Sequence, residues 1–201
     1  MFRKEVIVRV PSVLLMGLVV LAMSPAAAQT PTPRNAGAPE SFTANAQVAS
    51  GAGAIAATIQ IDIQRYSPDF DRTSIEGALK GGGYAAFLTA LRKAPEVGTV
   101  ALGDQKFSIR YAREEKTAQG RTITLVTDKP MFFVGGGRTD AKPRAGFEVG
   151  ALQMMVNDVG MGSGTMAAAA RIKPGPEGVG VQVDDYADAP IKLTTVSRRL
   201  R

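Results

Sequence analysis

The 201-residue chain contains no cysteine, no histidine and no tryptophan. Each absence removes a class of chemistry. Without cysteine there is no disulfide framework and no lipid attachment at a processed thiol, so stability has to come from packing and backbone pairing. Without histidine the commonest general base and the commonest metal ligand are missing. Together the two absences exclude ordinary zinc sites, thiol chemistry and Ser-His-Asp catalysis. Carboxylates, lysine, arginine, tyrosine and hydroxyls remain. That set points away from an enzyme, and no cofactor is expected. Aromatic residues are scarce, with 8 Phe and 4 Tyr. A sugar-stacking platform or a base-stacking surface has little to be built from, and no nucleic-acid partner is expected. The formal charge of +6 is a mild excess, part of it in the tail Arg198, Arg199 and Arg201. A solvated basic surface accounts for it; a weak attraction to anionic envelope surfaces is the alternative.

What is present begins with an export address. Arg3, Lys4 and Arg9 lead into an apolar run from Val10 to Met23, short of the roughly 20 residues that span a bilayer. Ser24 to Ala28 then supplies the small residues that a signal peptidase reads. Residues 1–28 are therefore expected to be a signal peptide cut between Ala28 and Gln29; an uncleaved anchor is the rival reading. The mature protein would be periplasmic or secreted, with no transmembrane segment after cleavage. Residues 29–53, rich in Pro, Ala, Thr, Gly and Asn, read as a flexible low-complexity linker that cannot bury enough surface to offset ordering. Residues 54–201 then form a single α+β domain.

Within that domain Ile59, Ile61 and Ile63 alternate with Gln60, Asp62 and Gln64, the pattern of a half-buried strand. Ser67-Pro68-Asp69 reads as a helix start with Ser67 as N-cap. Ile75 with Leu79, and Phe87 with Leu91, stack one turn apart. Gly81-Gly82-Gly83 lies between these pairs and predicts one bent helix or a helix pair over about 68–93, ended by Pro95. The remainder reads as strands: 97–102, 106–114 paired with 121–127 as a hairpin, a short piece at 132–134, 147–158, 179–184 and 191–196. Residues 165–173 are ambiguous, because an alanine run favours helix while two flanking turns favour strand; strand is preferred. The fold class is α+β: a twisted antiparallel sheet or partly closed barrel of about 7–8 strands, with the helix inserted after the first strand.

Several polar groups invite a functional reading. Gly160-Met161-Gly162-Ser163-Gly164 and Gly135-Gly136-Gly137 lack the following Lys-Ser/Thr of a phosphate loop and read as a hairpin turn and a loop. Asp184, Asp185 and Asp188, and separately Asn157 and Asp158, offer oxygens to a calcium ion but lack the spacing of a calcium loop. Turn-forming carboxylates explain them, and no metal site is expected. The most informative cluster is Arg110, Tyr111 and Arg113, facing Arg121, Lys129 and Asp128 across the predicted hairpin. Cross-strand Arg–Asp pairing on a solvent face is one reading. A cationic patch that grips a carboxylate or phosphate is the other.

Short stretches in a fixed order carry a resemblance. They are Ile61-Asp62-Ile63-Gln64-Arg65-Tyr66-Ser67, Ala78-Leu79, Leu88-Thr89-Ala90-Leu91, Val97-Gly98, Arg110-Tyr111-Ala112-Arg113, Gly120-Arg121-Thr122-Ile123, Thr127-Asp128-Lys129-Pro130, Asp185-Tyr186, Pro190-Ile191-Lys192-Leu193 and Thr195-Val196. In this order the chain resembles an uncharacterised family of small exported bacterial proteins, from about Ile59 to Val196. It departs from that pattern at Tyr66, where the family carries Trp, and at Gly135-Gly136-Gly137, where the family carries a larger acidic segment. The resemblance implies one exported domain and no particular activity.

The expectation is thus an exported, non-enzymatic binding or interaction module, with an envelope protein or a small anionic ligand as partner. Two rivals stand beside it. One is a carrier holding a small apolar ligand inside the curled sheet. The other is a metal-independent hydrolase using Asp with Arg or Tyr.

Overall fold

Alternating apolar and polar residues build most of this molecule, and the computed structural model describes residues 39–50, 53–131 and 144–199 of it. The elements are β1 (Glu40–Ser50), β2 (Gly53–Ile63), α1 (Asp69–Lys93), β3 (Gly98–Leu102), β4 (Gln105–Thr117), β5 (Gly120–Thr127), β6 (Val149–Val156), β7 (Met161–Pro174), β8 (Val181–Tyr186) and β9 (Ile191–Arg199). They belong to one compact unit, Arg34–Arg201. Every strand pairing is antiparallel. The order is β6-β5-β4-β3-β2-β1-β9-β7-β8, and an additional β6–β7 pairing closes the ring. β9 pairs with the first half of β7, at Met161 to Met166, and β8 with its second half, at Ala170 to Pro174. β9, which also pairs with β1, completes the ring, so the barrel has eight strands, β1 to β7 and β9, in up-and-down order, and β8 pairs with β7 alone.

An eight-stranded barrel has an interior just wide enough for side chains to fill. Here Phe42, Ile59, Ile61, Ile63, Ile109, Ile123, Leu125 and Met154 fill it, each buried. Large side chains of this kind contribute about 1.5–3 kcal/mol each when fully buried. Met131 joins them from the segment after β5, held where its backbone N–H donates to the Ala168 carbonyl at 2.7 Å.

The helix packs outside. Ile75, Leu79, Phe87 and Leu91 lie on its buried face and join Tyr111, Val126, Val149, Ala151 and Ala167 on the outer wall. A turn with Gly83 at φ 69° bends the helix between its two apolar pairs. Only glycine takes that conformation cheaply, so the bend keeps both pairs on the same wall.

Four expectations need correction. β1 lies within 29–53, the stretch read as linker. Its inward residues Phe42, Ala44 and Ala46 are buried, and pairing with β2 and β9 on both sides replaces the hydrophobic bulk its sequence lacks. The helix consequently follows the second strand and not the first. The barrel is closed and not partly so. Ser67 does not cap the helix: Pro68 holds the N-cap position, while Ser67 Oγ accepts the Ala112 N–H at 2.9 Å. Residues 165–173 are strand, as the turn signals predicted. No helix among the described residues is long and apolar enough to cross a membrane. Residues 1–28, the predicted strand at 132–134 and Gly135-Gly136-Gly137 lie outside the described residues.

Candidate functional site

A register shift in β4 between Ile109 and Tyr111 decides the fate of the predicted cluster. A β-bulge adds one residue to one strand and reverses the inward–outward parity beyond it. Ile109 therefore points into the barrel, Tyr111 points outward beneath the helix, and Ala112 points in again. Arg110, Tyr111, Arg113, Arg121 and Asp128 end up in three separate places.

Arg110 and Asp128 form a cross-strand pair, Nε to Oδ2 at 3.2 Å, while Arg110 Nη1 also donates to the Ala94 carbonyl at 3.1 Å. Tyr111 and Arg113 converge on Glu76 of α1. The Tyr111 hydroxyl donates to Glu76 Oε1 at 2.8 Å and Arg113 Nη1 lies 3.4 Å from the same oxygen. Glu76 Oε2 accepts the Gly180 N–H at 3.0 Å. This carboxylate therefore ties the helix, β4 and the β7–β8 turn together. Burial, reinforced by Glu76, pushes the Tyr111 phenol well above its ordinary value, so it stays protonated.

Arg121 lies inside the opposite end of the barrel. It grips both oxygens of Glu40, with Nη1 2.7 Å from Oε1 and Nη2 on Oε2. Glu114 lies 3.4 Å from Arg121, and the Tyr66 hydroxyl donates to Glu40 Oε1 at 3.1 Å. Burial alone would raise the Glu40 carboxyl; the hydrogen bonds and charge of Arg121, with Tyr66 and Arg198, reverse that and hold it below the ordinary glutamate value. The cluster is an ionic plug. Its groups satisfy one another, and Tyr66 is likewise held protonated by burial beside Glu40. Among the described residues no three acidic side chains converge on a metal site. Asp184 is 3.1 Å from Lys173, and Asn157 Oδ1 accepts the Met161 N–H at 2.9 Å, closing the β6–β7 turn.

The concave feature that sequence reasoning missed is on the outer wall. Thr124, Gln153 and Thr165 stand opposite one another on β5, β6 and β7, and the next row is Val126, Ala151 and Ala167. Beyond a second register shift at Arg171/Ile172, β7 and β8 leave the ring as a two-stranded arm anchored on Glu76. The two rows and the arm enclose a groove of about 140 Å³, bordered on the arm side by Ile172, Val181, Gln182, Val183 and Tyr186. Its lining carries hydroxyls, amides and apolar carbons but no formal charge. The shared outward parity of Thr124, Gln153 and Thr165 was readable; the arm that turns them into a groove was not.

No protein-family model, curated protein or solved structure matches this chain.

Proposed function

We propose that this protein is an exported, non-enzymatic binding module that receives its partner in the outer-wall groove. The observation that carries the reading is the contrast between the groove and the charged groups. Each arginine of the predicted cluster is engaged by an internal carboxylate, whereas the groove offers uncharged donors and acceptors around apolar carbon. Concave sites in which a few polar groups stand among apolar side chains are a usual form of a binding site, and this groove has more polar than apolar surface exposed in it. The uncharged lining favours an envelope protein over a small anionic ligand as partner.

The rival readings draw less support. A carrier needs space inside the barrel, and the interior is lined by closely packed Phe, Ile, Leu and Met side chains. A hydrolase using Asp with Arg or Tyr needs a free base, yet Asp128 is held by Arg110 and the buried phenols stay protonated. Export rests on the leader pattern, and kinship with the small exported family on the ordered motifs.

Two measurements test the proposal in the native host. Mass analysis of the envelope fraction is expected to find an amino terminus at Gln29. A photo-crosslinking residue at Gln153 is expected to give a discrete adduct that disappears when Thr124→Trp fills the groove. The same probe at Lys106, on the distant β3–β4 hairpin, is expected to give none. Equal adducts from both positions, or none from either, refute the groove as the binding site.

A further inference from the structure

Five large apolar side chains are exposed among the described residues, and three of them, Met155, Val159 and Met161, stand on the β6–β7 hairpin. Scattered singly, such residues need no explanation; gathered on one hairpin, they mark a surface that meets something apolar. Met155 pairs with Ser163, two residues along β7 from Met161, so both methionines lie on the outer face. Val159 occupies the turn between the strands and is 71% exposed, where a polar residue is the ordinary choice. The turn is fixed by its own hydrogen bonds. The Asn157 N–H donates to the Met161 carbonyl and the Gly160 N–H to the Asn157 carbonyl, both at 2.9 Å, and the Arg198 N–H donates to the Gly160 carbonyl at 2.8 Å. Val159 is therefore held beyond the strand ends.

Cations stand around this tip. On one side Met161 pairs with Ser197 of β9, and exposed Arg198 and Arg199 follow directly. The sequence continues with Leu200 and Arg201. On the other side the β4–β5 turn touches the hairpin, since a Cβ on Gly120 would lie 2.2 Å from the Val156 carbonyl oxygen. Lys116, opposite Arg121 at that turn, is exposed. Of the acids nearby, Glu40 and Glu114 lie against Arg121 and Glu115 against Arg113; Asp158 is the one acid of the turn itself.

Three side chains fall far short of the roughly 20–30 residues a side of a stable protein interface. An apolar point flanked by cations suits a lipid surface instead. Its apolar groups sink about 5–10 Å, to the boundary of headgroups and acyl chains, while lysine and arginine are drawn to anionic phosphates. We infer that the β6–β7 hairpin docks this protein on an anionic phospholipid surface, inserting Val159 and Met161 with Met155 behind them, while Lys116, Arg198 and Arg199 meet the lipid phosphates. This goes beyond the groove and does not depend on it.

The test uses the mature full-length chain with two kinds of vesicle, phosphatidylglycerol mixed with phosphatidylethanolamine, and phosphatidylcholine alone. Because the chain has no cysteine, Val159→Cys gives a single position for an environment-sensitive dye, and Lys106→Cys on the distant β3–β4 hairpin gives the control. The dye at Val159 should shift to the blue on the anionic vesicles and the dye at Lys106 should not. In flotation, Val159→Ser combined with Met161→Ser should bind those vesicles about tenfold or more weakly. Both side chains are more than half exposed, so the fold does not depend on them. Arg199→Gln should weaken binding about fivefold at low salt, and less at high salt. Equal binding to both kinds of vesicle, an unshifted dye at Val159, or full binding by the paired serine variant overturns the inference. So does a dimer in sedimentation that the paired variant abolishes, because the hairpin then meets a second copy.

Discussion

Replacing Arg121 by Met isolates the ionic plug at the end of the barrel. Methionine keeps much of the aliphatic stem and removes the guanidinium. Glu40 is 10% exposed and Arg121 17%, so the variant strands a carboxylate that water barely reaches. Breaking a fully buried pair costs about 3–5 kcal/mol. Tyr66 still donates to Glu40, and Arg198 lies 3.8 Å from its other oxygen, which lowers the expected loss to about 2–3 kcal/mol. The pH dependence makes the reasoning specific. In the native protein the Glu40 carboxyl titrates below its ordinary value, so its stabilising contribution is complete above that value and fades as pH falls through the depressed one. Without Arg121, burial dominates and raises the carboxyl, and protonation then relieves a penalty. The gap between native protein and variant should be widest near neutrality and should narrow below the ordinary glutamate value of 4.5. Urea unfolding followed by circular dichroism across that range measures it. A gap under about 1 kcal/mol at neutral pH, or one that does not change with acid, refutes the account of the plug.

Glycine substitutions should split by what a Cβ would meet. At Gly162 it would lie 1.8 Å from the Met155 carbonyl oxygen, so Gly162→Ala should lower stability by about 2–3 kcal/mol in urea titration. At Gly81 of α1 nothing lies within 4 Å, and Gly81→Ala should raise stability by about 0.5–1 kcal/mol in the same assay. Glu76→Ala should remove about 2–4 kcal/mol, because the Tyr111 hydroxyl, Arg113 and the Gly180 N–H lose a shared acceptor. Hydrogen exchange should then accelerate in residues 175–186 more than in the barrel strands; uniform acceleration would contradict the role of Glu76 as the arm's anchor.

Local pattern revealed the elements whose stability is local. The Ile59, Ile61, Ile63 alternation, the two helical pairs around the glycines and the β4–β5 hairpin all repeat with the period of their element. β1 escaped because its neighbours supply its stability: Ala44 and Ala46 bring little hydrophobic area, and nothing nearby in sequence reveals partners as distant as Leu193. The same holds for the alanine run in β7, which is strand because β6 pairs along one edge of β7 while β9 and β8 take successive parts of the other. Face assignment failed at the bulges. Strict alternation puts Ile109 and Tyr111 on one face, and the extra residue between the paired positions separates them. That one irregularity dispersed the predicted cationic cluster, sending Arg113 to Glu76 under the helix while Arg121 stayed with the interior set.

The groove arises from a conflict between strand length and ring closure. β7 runs from Met161 to Pro174, whereas β6, its neighbour in the ring, begins at Val149 opposite Ala170. The residues past Ala170 have no place in the barrel, so they need another partner for their backbone groups, which β8 supplies. A two-stranded arm standing alone is at best marginally stable in water; Glu76 and the apolar contacts of Ile172 and Val181 with the helix and wall hold this one. Among the described residues β8 pairs with β7 alone, and the arm stands over the outer-wall rows of Thr124, Gln153 and Thr165 and of Val126, Ala151 and Ala167. Because the barrel interior is occupied by its own side chains, the proposed binding site lies outside it, and the carboxylate that ties the arm to the helix also holds that groove in shape.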